Sequence, residues 1–89
     1  MPYIAQEERE DIDQICSDIF EHLKGEYFSA GELNYIFTKI LKLNYRIPFY
    51  AKYVDYNEAI GVLECCKLEL YRVAAAPYED LKIQQNGFV

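Results

Sequence analysis

The stretch from Asp55 to Ala76, DYNEAIGVLECCKLELYRVAAA, constrains the fold more than any other, because it reads as one long helix that is apolar on nearly every side. At about 100° per residue, Ala59, Val62, Leu63, Cys66, Leu70, Val73 and Ala74 fall in one continuous arc, the face expected to meet a core. Ile60, Leu68 and Tyr71 form a second apolar arc that points the other way, with Glu64 and Lys67 set among them. Glu58, Glu69 and Arg72 occupy the narrow remainder. A helix with two apolar faces needs neighbours on two sides. In a chain this short, the candidates are the other helices and a second copy of the protein.

Eighty-nine residues make a single domain, residues 1–89, and a domain of that size buries roughly 60–65% of its unfolded surface, so its core is small. Fifteen acidic against nine basic residues leave a net charge of −6, and no Lys or Arg cluster offsets it. That balance argues against a nucleic-acid partner held through its phosphates. Pro2, Tyr3 and Ile4 lead straight into acidic residues, with no basic segment, secretory apolar segment or membrane-spanning run. The expectation is a cytoplasmic protein without a membrane partner. Three cysteines, two of them adjacent at Cys65 and Cys66 within a helix, fit neither a disulfide framework nor a spaced zinc motif. They read as free thiols, with Cys66 inaccessible at the middle of the main apolar arc.

The pattern predicts an all-α fold, a small bundle of three main helices plus a short C-terminal helix. The first helix covers residues 6–24, with Ile12, Ile15, Cys16, Ile19, Phe20 and Leu23 at spacings of three and four. Glu7, Glu8, Glu10 and Asp11 suit the positive end of its dipole, and Gly25 supplies a left-handed C-terminal residue. Ser29 and Glu32 form a capping box for a second helix over 29–44, with Phe28 and Leu33 as its hydrophobic staple. Leu33, Ile36, Phe37, Ile40 and Leu41 give this helix a stripe, which is expected to pair antiparallel with the first. Arg46-Ile47-Pro48 breaks the pattern, leaving a connection with one helical turn after Pro48. Asp55 and Glu58 repeat the capping-box spacing and open the third helix over 55–76, which Pro77 closes or kinks. A fourth helix over 77–85 is expected to pack back through Leu81 and Ile83, and Asn86-Gly87 ends it.

Tyr45, Phe49, Tyr50, Tyr53 and Tyr56 lie within twelve residues. They are enough to cover one end of a small core; alternatively, their hydroxyls line a binding cleft.

The residues that carry chemistry elsewhere have simpler explanations here. His22, the single histidine, sits on the polar side of the first helix beside Glu21, and reads as exposed. Ser29 is a cap rather than a nucleophile, no side chain has a recognisable base partner, and Gly31, Gly61 and Gly87 form no phosphate loop. No catalytic residue and no cofactor is called for. Carboxylates are the remaining metal-binding material, with Glu32, Glu58 and Glu64 as weak candidates. Glu58 and Glu64 point about 120° apart on the wheel, so they share an ion only with help from another helix. Glu64, amid Ile60, Leu68 and Tyr71, is either paired with Lys67 one turn on or a functional acid in a semi-apolar setting.

Gly31-Glu32-Leu33-Asn34-Tyr35, and the run NEAIGVLECCKLELYRVAAAPYEDLKIQQNG from Asn57 to Gly87, resemble a family of small, uncharacterised proteins from bacteria and their phages. The pieces GELNY, NEAIGVLEC, KLELYR and PYED carry the resemblance over about half the chain. Family members tend to read YRR before the proline and NGD near the end; this chain has Tyr71-Arg72-Val73 and Asn86-Gly87-Phe88 instead. The resemblance implies a compact helical domain and brings no activity with it.

The preferred functional reading is a non-enzymatic interaction module. It would form a homodimer or dock a protein partner through Ile60, Leu68 and Tyr71, which three short helices do not fully cover. The first alternative is a divalent-metal-dependent, pyrophosphohydrolase-like nucleotide-handling enzyme using Glu32, Glu58 and Glu64, with the tyrosines as pocket wall. The second is an acidic phage-type inhibitor that imitates nucleic acid.

Overall fold

The computed structural model describes residues 2–21, 23 and 27–89, and among them every regular element is helical. The order is α1 (Gln6–Glu21), α2 (Ala30–Tyr45), α3 (Tyr53–Leu70), a π-helical turn (Tyr71–Ala75) and α4 (Ala76–Asn86). The all-α architecture of three main helices and a C-terminal helix is as the periodicity predicts.

Local chemistry accounts for the helix ends. Glu7 and Glu8 occupy the first turn of α1, and the segment before it is tied down by Arg9, whose Nε donates to the Ile4 carbonyl at 2.9 Å. The expected end of α1 at residue 24, the Gly25 cap and the reading of His22 lie outside the described residues. At α2 the capping box forms in full: Ser29 N–H donates to Glu32 Oε1 at 3.0 Å, and Glu32 N–H donates to Ser29 Oγ at 3.1 Å. The staple residues Phe28 and Leu33 are both half-buried, and the Phe28 ring lies 5.4 Å from that of Phe20.

α2 ends at Arg46, which adopts the left-handed conformation at φ 56°, ψ 41°, while Ile47 N–H donates to the Lys42 carbonyl at 3.0 Å. An L side chain pays about 1–2 kcal/mol there that glycine does not. Arg46→Gly is therefore expected to raise stability by about 1 kcal/mol, a gain of about 4–8 °C in melting temperature by circular dichroism.

The connection differs from the expected helical turn after Pro48. Residues 46–50 form a turn closed by Tyr50 N–H on the Arg46 carbonyl at 3.1 Å, and α3 starts at Tyr53. The Asp55–Glu58 box is not the cap used. Asp55 instead reaches back as the third helical residue, its Oδ2 accepting from Lys52 N–H at 2.8 Å, which starts the helix two residues earlier. Pro77 does not close the helical run, the first of the two effects expected of it. The ring removes one N–H and crowds the turn before it. That turn is wide, with Ala76 N–H donating to the Tyr71 carbonyl five residues back, so the chain stays helical from Tyr53 to Asn86.

Tertiary packing is sparse. α2 meets α3, but no Cα of α1 comes within 8 Å of one in α2, closer than which packed helices at about 8–10 Å between axes would bring some pairs. The expected α1–α2 pairing is thus a gap rather than a contact. Leu81 and Ile83 do not pack α4 back; both are exposed, because α4 follows the wide turn without a loop and meets none of α1, α2 or α3. Among the described residues Ala59 alone is buried, at 5% exposure. The radius of gyration is 16.7 Å, against about 12 Å for a compact chain of this length.

Candidate interaction surface

Two apolar hollows follow from that sparse packing. One, of about 500 Å³, opens between α1 and α2 and is lined by Ile15, Ile19, Phe28, Tyr35, Ile36 and Ile40, with Lys39 at its edge. The other, of about 180 Å³, lies between α2 and α3 and is lined by Phe37, Ile40, Leu41, Val62, Leu63 and Cys66. Ile40 belongs to both. The hollows thus flank α2 and adjoin at Ile40; together they are called the trough.

The main arc of α3 is oriented as its wheel suggests only in its first half. Ala59 is buried and Val62, Leu63 and Cys66 face α2, whereas Leu70 and Val73 lie at least half exposed beyond it. Cys66 is consequently exposed along with Cys16 and Cys65, contrary to the expectation of an inaccessible thiol; all three are free. The second arc is uncovered too, with Ile60 67%, Leu68 58% and Tyr71 53% exposed. Nor do the aromatics of the connection cap a core: Phe49, Tyr50 and Tyr53 are exposed, and Tyr45 alone of the five is half-buried.

The three candidate metal ligands are not brought together. Among the described residues no three His, Cys, Asp or Glu side chains gather where they would hold an ion, and the three glutamates have different neighbours. Glu32 is the α2 cap, and its bond from Ser29 N–H holds its carboxyl below the usual range. Glu64 pairs with Lys67 Nζ at 2.8 Å, both side chains more than half exposed, so the structural alternative describes it. Glu58 lies beside Tyr45, whose phenol is pushed up first by burial and then by that carboxylate.

A family model described as a domain of unknown function (DUF6899) matches residues 1–89. The chain belongs to that family. The resemblance carried by GELNY and by the run from Asn57 to Gly87 therefore holds at the level of a family of uncharacterised proteins. No curated protein and no solved structure matches the chain. No described helix is long and apolar enough to cross a membrane.

One polar cluster was only partly visible in the sequence. Glu69 takes Arg72 Nε at 3.3 Å and Arg72 Nη2 at 2.5 Å, an i,i+3 pair that spacing alone suggests, and it also accepts from the Tyr3 hydroxyl. The second link, 66 residues away, ties the segment before α1 to the end of α3. No local pattern announces a contact of that separation.

Arg72 and then Tyr3 pull the Glu69 carboxyl down, while Glu69 pushes the Tyr3 phenol up; Glu79 likewise raises Tyr71, whose hydroxyl donates to it at 3.2 Å. Carboxyls held low in the fold stabilise it above their unfolded value, and that contribution goes as pH falls through the folded one. Phenols held high stabilise it below their unfolded value, and theirs goes as pH rises past it. Melting temperature is therefore expected to be flat between about pH 5 and 9 and to fall below about pH 4 and above about pH 10. A maximum outside that plateau in a buffer series would contradict these assignments.

Proposed function

We propose that this chain is a non-enzymatic protein-interaction module, working in the cytoplasm of a bacterium or a phage-infected cell, whose uncovered apolar surface is its binding surface. Exposed area carries the reading. The chain exposes 8194 Å², whereas a compact folded chain of 10.5 kDa exposes about 5,400 Å². Monomeric proteins rarely leave apolar patches beyond about 300–600 Å² open unless something binds there. Three free exposed thiols suit a reducing compartment.

Within that surface Ile60, Leu68 and Tyr71 form the contact on the outer side of α3, the side away from α2. Because Leu68 is 58% exposed, Leu68→Glu is expected to change the chain's own stability by no more than about 0.5 kcal/mol in denaturant titration while removing the contact. In cells, a benzophenone side chain placed at Leu68 should cross-link to a discrete polypeptide, and one placed at Glu10 should not. Equal, diffuse labelling from both positions would sink the reading.

A further inference from the structure

We infer that the trough flanking α2 is closed by a second copy of this chain, so that the hydrophobic core is completed only in a dimer. The inference rests on the interaction-module reading and names its partner.

The area fits an obligate pair. The excess over a compact monomer is about 2,800 Å² per chain, or about 5,500 Å² for two, in the range of large obligate homodimers at roughly 2,000–5,000 Å² and above. A transient partner leaves the chain to survive alone between encounters, and this chain has Ala59 as the one buried residue among those described. A second copy is always present at equal abundance, and its binding free energy then serves as folding free energy.

The lining points the same way. Apart from Lys39 at the edge, the trough offers Ile, Leu, Val, Phe, Tyr and Cys, so it selects neither an acidic nor a basic segment. A two-fold interface requires one surface to complement itself, and apolar stripes on α1, α2 and α3 meet that condition. On α1 the acids Glu7, Glu10, Asp11, Asp13 and Asp18 fall away from the Ile12–Ile15–Ile19 stripe, while Glu8 is in line with it but one turn before Ile12 and outside the hollow's lining, so most acids of this helix stay outside the contact.

The test uses the full chain, with sedimentation, melting curves and thiol labelling on the same samples from about 1 to about 100 µM. The expected result is a particle of twice the 10.5 kDa chain mass and a cooperative melt whose midpoint rises with concentration. Iodoacetamide labelling of Cys66 should fall about tenfold across the series relative to neighbouring Cys65, which lies on the polar side of α3. Added salt should tighten the pair, because it screens repulsion between two like-charged chains. A helical monomer that still binds a hydrophobic dye at the highest concentration would overturn the second copy and leave the module reading intact. A cooperatively folded monomer with Cys66 protected at the lowest concentration would overturn both. Dissociation by salt, or growth beyond two chains, would overturn the closed apolar pair.

Discussion

Ile40→Asp is expected to abolish the cooperative unfolding transition at concentrations where the wild type is paired. In the single chain Ile40 is 47% exposed, and substitutions at such sites change stability by about 0.5 kcal/mol or less. Its place in both hollows makes the position different. Once the trough is covered, a carboxylate there has no partner among Phe37, Leu41, Val62 and Leu63, and an uncompensated buried charge costs about 3–5 kcal/mol. Each dimer carries that cost twice, against a total stability of about 5–15 kcal/mol. Urea unfolding followed by circular dichroism at high protein concentration checks it. A shift under about 0.5 kcal/mol would mean that Ile40 stays in water in the working form, and that the trough is open.

What the sequence made legible was local. Ser29 and Glu32 specify their cap because three residues of spacing decide both bonds, and Gly87 ends α4 as expected, its N–H on the Ile83 carbonyl at 2.8 Å. The failures share another cause. Periodicity finds the apolar face of α3 but not whether a neighbour reaches it. α2 meets α3 with Tyr45 beside Glu58 and with Phe37, Ile40 and Leu41 opposite Val62, Leu63 and Cys66, which gain a facing wall, while Leu70 and Val73, farther along the run, do not. The aromatics from Tyr45 to Tyr56 were expected to cover a core by number alone, yet the turn at residues 46–50 leaves Phe49 and Tyr50 outward. Asp55 satisfied two capping patterns, and the sequence gives no ground for choosing the one anchored on Lys52. The candidate site was legible as composition, in the outer arc of Ile60, Leu68 and Tyr71. The trough was not, because it depends on α1 standing off from α2.

Pro77→Ala should separate the helix from the assembly it serves. The wide turn at Tyr71–Ala75 is where the chain accommodates a residue without an N–H, and restoring one favours an ordinary turn. Proline costs about 3 kcal/mol more than alanine within a helix, part of which the wide turn already absorbs, so a gain of about 1–3 kcal/mol in helix stability is expected. Register changes as well. Eight residues of regular helix turn through about 800°, placing positions 71 and 79 about 80° apart. The wide turn takes up most of that difference and lets the Tyr71 hydroxyl reach Glu79. The variant should therefore lose this bond, and the Tyr71 phenol should return towards its ordinary range, visible in a tyrosine pH titration by NMR. α4 would also rotate relative to α3, carrying Tyr78 and Leu81 to a new side. If α4 takes part in the pair, the variant gains helicity while its dimer weakens. A Tyr71 that still titrates high in Pro77→Ala would show that the wide turn is held by its surroundings and not by the proline.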